Sequence, residues 1–208
     1  MAKVAVTGAT GFIGTRLVEA LLKAGHVVYP IDYQWPYEPK EVDIIYHLAC
    51  PSTTAYIQAN PTKVMDIILD KTREALFINQ TALFVNASSM GALELANDQQ
   101  GAYNIAKRCM EVYLANSGRQ YMNYRLPAVY GPGMQDDGLI KRCVDHRAYE
   151  PPVPDKVYWI AHIDEVIDAM VNLRAVNIEE TTLGQIYEQF NSGRRGLHRP
   201  EPSQDSAE

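Results

Sequence analysis

The chain has 208 residues, with 19 Lys+Arg against 25 Asp+Glu and 47% apolar side chains. That composition suits a folded domain and excludes wholesale disorder, while a formal charge of −6 excludes a general electrostatic grip on nucleic acid or an anionic membrane. Cys50, Cys109 and Cys143 form no C-x-x-C or Cys/His cluster, so neither a disulfide framework nor a structural zinc is expected, and a reducing, cytoplasmic compartment is.

The expected elements alternate along the chain. Lys3 to Gly8 reads as a buried strand that stops at glycine. Phe12, Ile13, Leu17, Ala20, Leu21 and Ala24 share one helical face, which Gly25 closes. Strands follow at 26–32 and 42–49, and Asn60-Pro61 makes a helix start running to about Phe77. Thr81 to Ser89 is a fourth strand and Ala102 to Asn116 a long helix. Tyr121 to Tyr130 is a fifth strand, broken near Pro127, and 159–163 a sixth. Asp164 opens a helix with acids in its first turn, and Gln185 to Phe190 adds a short strand. No apolar run reaches membrane-spanning length, and nothing before Lys3 resembles a signal peptide.

Strands alternating with helices imply an α/β fold with a Rossmann-type doubly wound parallel sheet. Residues 1–190 are expected to form one domain. The stretch from Asn191 to Glu208 has almost no apolar side chains, so it is expected to remain a disordered tail.

Chemistry concentrates at two places. In Thr7-Gly8-Ala9-Thr10-Gly11-Phe12-Ile13-Gly14, glycines at 8, 11 and 14 allow a tight turn, close approach of a pyrophosphate and close helix–sheet packing. The spacing is GxxGxxG, one residue wider at the first gap than the commonest dinucleotide fingerprint. Asp32, at the end of the second strand, can accept both hydroxyls of an adenosine ribose and would repel a 2′-phosphate, which favours NAD over NADP. Glycine-rich turns and turn aspartates without a ligand are the plainer alternatives.

The second place is Tyr103 and Lys107, which lie on one face of the expected helix. A free tyrosine has a pKa of about 10, and a neighbouring ammonium would lower it into working range for moving a hydroxyl proton. Ser88-Ser89 ends the fourth strand on the carboxyl edge, where ligands of open α/β sheets bind. A serine there serves as a cap or as a hydrogen-bond partner for a substrate oxygen. His47 and His162 read as satisfied core or edge histidines, Cys50 as a small buried hydrophobe, and no spacing suggests a metal site.

Together these residues resemble the extended short-chain dehydrogenase/reductase family, in its NAD-dependent sugar-nucleotide epimerase/dehydratase branch. The resemblance rests on Thr7 to Gly14, Asp32, Asp43-Ile-Ile-Tyr-His-Leu-Ala49, Ala87-Ser-Ser89, Tyr103-Asn-Ile-Ala-Lys107, Arg125 to Pro132 and His162-Ile-Asp164, in family order over about residues 1 to 175. The stretch His47-Leu-Ala-Cys-Pro-Ser, followed by Asn60-Pro61, is particularly similar to UDP-glucuronate decarboxylases.

The resemblance implies that Thr7, Gly8, Gly11, Phe12, Ile13 and Gly14 hold the cofactor pyrophosphate, Asp32 the ribose, and Leu48 and Ala49 the trough. It makes Ser89 and Arg125 substrate contacts, Tyr103 the base, and Lys107 both its activator and a partner of the nicotinamide ribose. It implies a 4-keto intermediate on a UDP- or dTDP-sugar, ending in epimerisation, dehydration or decarboxylation. It also implies a homodimer through helices near 61–77 and 102–116.

Departures from the pattern leave two other readings open: an NAD-binding sensor or scaffold, and a simple carbonyl reductase. Met90 and Gly91 stand where an acid usually follows the catalytic hydroxyl, with Glu94 the nearest substitute. Ile68 and Ala128 stand where the family carries asparagines. The substrate lobe is expected to be reduced to about 132–158 and 178–190, with Tyr149 to Pro154 a rigid loop.

Overall fold

In Lys3–Thr7 the four residues after Lys3 are all buried, as expected of a strand covered on both faces. This is β1, an interior strand of a five-stranded parallel sheet. The computed structural model describes residues 1–32, 41–51, 53–93, 101–134, 139–144, 155 and 157–191. In chain order the elements are β1, α1 (Phe12–Lys23), β2 (Val27–Ile31), β3 (Ile44–His47), α2 (Thr54–Ala59), α3 (Pro61–Leu76), β4 (Leu83–Ser89), α4 (Gly101–Ala115), β5 (Tyr121–Leu126), β6 (Ala128–Tyr130), α5 (Leu139–Val144), β7 (Val157–His162), α6 (Ile163–Val171), β8 (Glu179–Thr182) and α7 (Leu183–Asn191).

The main sheet has the order β2-β1-β3-β4-β5, every pair parallel. The chain winds one way from β1 to β2 and the other way from β3 onward. A crevice therefore opens at the carboxyl ends of β1 and β3, the switch point of the topology.

Alternation along each strand sends side chains to two cores. Val4, Val6, Tyr46, Val85 and Ala87 pack with Leu17 and Leu21 of α1 and with Ile163, Val166 and Met170 of α6. Ala5, Ile45 and Phe84 face the opposite way, toward Ala75, Leu76 and Leu114 of α3 and α4. Leu17 is fully buried, so truncating it to alanine would cost about 2–5 kcal/mol. The doubly wound parallel sheet expected from the sequence is therefore the fold observed.

Four local expectations need correction. Residues 121–130 do break at Pro127, but the two halves serve different sheets, since Pro127 has no N–H to continue the ladder. The expected sixth strand lies in the second sheet as well, in the order β6-β7-β8, with Ile140, Cys143, Ile160 and Ile186 as its own core. Residues 185–190 are helical rather than a strand. A reciprocal capping box starts α7: the Thr182 N–H donates to Gln185 Oε1 at 2.9 Å and the Gln185 N–H to Thr182 Oγ1 at 3.2 Å. Finally, Asn60 precedes α3 without capping it, because its amide donates back to the Tyr56 carbonyl at 3.1 Å. The expected loop at 149–154, Glu94 and the tail beyond Asn191 lie outside the described residues.

Two tyrosines tie the sheet to α6. Tyr46 Oη on β3 donates to the Met170 carbonyl at 2.8 Å, and Tyr124 Oη on β5 to the Ala169 carbonyl at 3.0 Å. Each carbonyl also accepts a backbone N–H, Ala169 from Arg174 at 2.9 Å and Met170 from Leu173 at 3.3 Å, so each phenol takes the second lone pair. Among the described residues no helix is long and apolar enough to cross a membrane.

Candidate active site

The ends of β1, β2 and β3 converge on the glycine loop. Gly8 N–H donates to the Ile31 carbonyl at 3.0 Å, which draws the end of β2, and with it half-buried Asp32, beside the loop. Gly8 has φ +68°, and a Cβ there would lie 2.9 Å from the Ala49 nitrogen. A Cβ on Gly14 would lie only 2.1 Å from the Gly8 carbonyl oxygen. These two glycines let the helix, the loop and the segment after β3 close on one another.

Gly11 caps α1 without a side-chain hydrogen bond, and the first intrahelical bond runs from Thr15 N–H to the Gly11 carbonyl at 3.0 Å. The N–H groups of Phe12, Ile13 and Gly14 therefore precede the ladder at the positive end of the helix dipole, which is the donor arrangement an anion needs. The cradle fits a pyrophosphate, and Asp32 fits a ribose diol beside it.

A buried hydrogen-bond chain sits beneath the cradle. Thr7 Oγ1 accepts from the Leu48 and Ala49 N–H groups at 3.2 and 3.3 Å and contacts His47 Nδ1 at 2.8 Å. His47 Nε2 contacts Thr72 Oγ1 at 3.2 Å, and the Thr72 hydroxyl donates to the Ile68 carbonyl at 2.8 Å. Burial, helped by the charges of Lys107 and Lys71, lowers the pKa of His47 to about 3. The satisfied core histidine expected from the sequence is what the structure contains. His162 is an edge residue: its Nδ1 caps α6 by accepting from the Asp164 N–H at 3.3 Å.

The second half of the site lies where β4 ends against α4. Lys107 is 2% exposed; its Nζ donates to the Ala87 carbonyl at 2.6 Å and to Cys50 Sγ at 3.2 Å. It stands 5.6 Å from the centroid of the Tyr103 ring, so the helical spacing does bring the two together. The Tyr103 hydroxyl hydrogen-bonds the Cys50 sulfur.

The electrostatic expectation for this pair needs correction. Burial, and then the Cys50 contact, hold the Tyr103 hydroxyl well above its ordinary range, so it is a protonated phenol here. Cys50, read from the sequence as a bland apolar residue, is the junction of the pair. The clue was its place directly after Ala49, one residue beyond the trough.

Ser89 Oγ accepts from the Gly91 N–H at 3.2 Å, capping a 3-10 turn at Met90–Ala92. This contact uses a lone pair and leaves the hydroxyl proton for another acceptor. A Cβ at Gly91 would lie 2.2 Å from Asn104 Oδ1, so the buried Asn104 amide fills the space in front of this residue.

Arg125 is placed differently from expectation. Its Nε and Nη2 each lie 2.9 Å from the Glu111 carboxylate, which also accepts from Ser88 Oγ at 2.6 Å and from Arg108 at 3.1 Å. Glu111 is 3% exposed, while the Arg125 and Arg108 side chains paired with it are 38% and 45% exposed, so a buried carboxylate holds one edge of the Arg125 guanidinium at the surface. Burial pushes the Glu111 carboxyl up, but its hydrogen bonds from Arg125 and Ser88 outweigh that and hold it below its ordinary value.

Comparison with known proteins agrees with this geometry. The NAD dependent epimerase/dehydratase family model matches residues 4–41. UDP-glucuronic acid decarboxylase 6 of Arabidopsis thaliana is 25% identical, the match covering 66% of this chain and 54% of that one. UDP-glucuronic acid decarboxylase 2 of the same plant is 33% identical over 87 residues. The chain thus spans about half the length, or less, of these curated relatives.

Among solved structures, an NAD-dependent NDP-hexosamine 5,6-dehydratase of tunicamycin biosynthesis superposes with TM-score 0.76 at 17% identity, covering 93% of this chain and 81% of that one. The Thermotoga maritima UDP-glucose 4-epimerase with UDP-glucose gives 0.74 at 18% identity, covering 94% and 84%. The family resemblance drawn from the sequence is borne out by the family model and the curated relatives, and the fold it implies by the solved structures.

Proposed function

We propose that this chain binds NAD in the Gly8–Gly14 cradle and acts on a UDP- or dTDP-sugar as an enzyme of the epimerase/dehydratase type. One observation carries the reading: Cys50 follows the trough residues Leu48 and Ala49 directly, and its sulfur meets both Lys107 and Tyr103. The nucleotide cradle and the proton-transfer pair therefore share one carboxyl edge. Structures similar in fold include complexes of one protein with UDP-glucose and NAD and with UDP-glucuronic acid and NAD, which fits a substrate of that class.

In this reading NAD supplies the hydride acceptor and donor at C4 of the sugar. Thr7, Gly8, Gly11, Phe12, Ile13 and Gly14 bind its pyrophosphate, Asp32 its adenosine ribose, and Leu48 and Ala49 line its path. Lys107 holds the nicotinamide ribose. Ser89 donates its free proton to the C4 oxygen. Tyr103, a protonated phenol in this arrangement, would first release that proton to solvent, then take the C4 hydroxyl proton as a base when the 4-keto sugar forms, and give the same proton back to the C4 oxygen as a general acid when it is reduced. With an asparagine amide in front of Gly91 and no acid at 90 or 91, epimerisation makes the smallest demand on these groups.

Arg125 favours a second reading, in which NAD binds without sugar chemistry, because Glu111 already claims that guanidinium. We also propose that two copies pair through α3 and α4. Ile105, Val112 and Tyr113 of α4 are 43%, 50% and 54% exposed, with Cys109 on the same face. Sedimentation at micromolar concentration tests this; a monomer would exclude the pairing. The three free cysteines fit a reducing, cytoplasmic setting.

The functional test combines NAD titration by calorimetry with product analysis on UDP-glucose, UDP-glucuronate and dTDP-glucose. Binding with turnover that Tyr103→Phe reduces at least about hundredfold supports the enzyme. NAD binding without turnover supports the second reading. No NAD binding overturns both.

A further inference from the structure

Cys50 is the point at which the two halves of the candidate site touch, and neither half requires a sulfur there by its own chemistry. Its Sγ accepts from Lys107 Nζ at 3.2 Å, while the same ammonium donates to the Ala87 carbonyl at 2.6 Å. It is also hydrogen-bonded to the Tyr103 hydroxyl, whose ring centroid lies 5.6 Å from Lys107 Nζ.

We propose that Cys50 is a positioning residue, whose sulfur gathers the Tyr103 hydroxyl and the Lys107 ammonium onto one acceptor and so sets the reach and proton state of the tyrosine. The proposal rests on the reading of Tyr103 as the proton-transfer group. Sulfur suits the task because it is large and polarizable, so two donors can approach it at longer distances than an oxygen would allow.

Among the described residues, the other groups around the pair are few. Ile57 of α2 and Val64 and Ile68 of α3 form the apolar wall against which Cys50 and Tyr103 pack. Tyr56 adds a second phenol, and Met65 and Leu69 complete the wall. His47 lies within electrostatic reach of Lys107 and stays neutral above a pH of about 3. Lys107 is therefore the charged group that meets the junction, and an acceptor that holds the phenol proton works against that charge.

The test is the ionisation of Tyr103, read as near-ultraviolet phenolate absorbance of each protein minus that of its Tyr103→Phe counterpart. In Cys50→Ala, which removes the acceptor, Tyr103 should ionise at lower pH than in the parent. Cys50→Ser, whose hydroxyl still accepts, should restore most of the parent behaviour. Where turnover is measurable, the same order should appear in the pH profile of kcat, with KM for the sugar nucleotide nearly unchanged.

Should Cys50→Ala fail to fold, Cys50→Val provides the same contrast with the volume kept. Identical Tyr103 ionisation in the parent, the alanine or valine variant and the serine variant would overturn the proposal. Because this readout needs neither NAD nor turnover, failure of the enzyme reading would be seen separately, in the calorimetry.

Discussion

The Thr7 hydroxyl and His47 Nδ1 lie 2.8 Å apart, and that contact fixes the direction of every hydrogen bond around it. Thr7 Oγ1 already accepts from two backbone N–H groups, so its own proton goes to Nδ1. The ring proton must then sit on Nε2 and point at Thr72, whose hydroxyl donates onward to the Ile68 carbonyl. One tautomer of a neutral imidazole satisfies the whole chain; an imidazolium would set a proton against the Thr7 proton.

The first prediction is an acid lability. The folded-state pKa of His47 is lowered to about 3, against about 6.5 unfolded, so the unfolded chain binds the extra proton between those values. Stability should be unaffected by this group above about pH 6.5 and fall as pH drops below it, by roughly 2 kcal/mol at pH 5. Urea unfolding at pH 7 and pH 5, for the parent and for His47→Gln, measures the difference. The variant should lack this part of the slope, and an equal slope in both would refute the assignment.

The second concerns the cradle. Gly14→Ala places a methyl 2.1 Å from the Gly8 carbonyl oxygen, a backbone atom that cannot swing away. Loop and helix must separate, at a cost of about 2 kcal/mol or more, equal to roughly thirtyfold in the Kd for NAD. Calorimetry reads it directly. Gly25→Ala is the control for lost glycine freedom, since Gly25 has φ +83° and nothing within 4 Å of the added carbon.

A third prediction separates the two nucleotides. Asp32→Ala removes a charged acceptor expected to contribute about 1.5–3 kcal/mol, so NAD should weaken by roughly ten- to a hundredfold. NADP, which the carboxylate repels, should lose less or gain. Parallel titrations with both nucleotides decide it; equal losses would move the ribose away from Asp32.

The fourth distinguishes fold from substrate at Arg125. Glu111→Ala strips a buried carboxylate from three donors and should cost about 1–3 kcal/mol, since the two arginines it releases are 45% and 38% exposed and stay hydrated, whereas Glu111→Gln keeps part of the network and should cost less. Arg125→Ala should lower the melting temperature and leave NAD affinity within about twofold of the parent, because its side chain serves Glu111 and not the cradle. Calorimetry and thermal melts together check this.

The sequence carried the main sheet clearly, because a central parallel strand such as Val4-Ala5-Val6 must be apolar on both faces and its helices must show a single apolar stripe. Gly8, Gly14 and Asp32 were legible for a similar reason, since few residue types tolerate their geometry or supply their charge. The second sheet was not legible, because Ala128–Tyr130 and Trp159–Ile163 look like any buried strands, and pairing partners leave no local trace. The start of α7 was legible in principle: Thr182 and Gln185 have capping-box spacing, but a short apolar run drew a strand assignment. The environment of Tyr103 depended on Cys50, which is 53 positions away in the chain and meets it only through the fold. Arg125 misled because its motif neighbours say nothing about Glu111, two helical turns past Tyr103.

The two phenols that end on α6 act as guy ropes pitched from strands on either side of β4. Their anchor points are consecutive carbonyls, Ala169 and Met170, so a slide of the helix by even one residue would release both ropes together. Burial keeps both hydroxyls protonated far into alkaline solution, so the ropes do not slacken with ordinary changes of pH. Because β7 runs straight into α6, the small sheet is moored by them too.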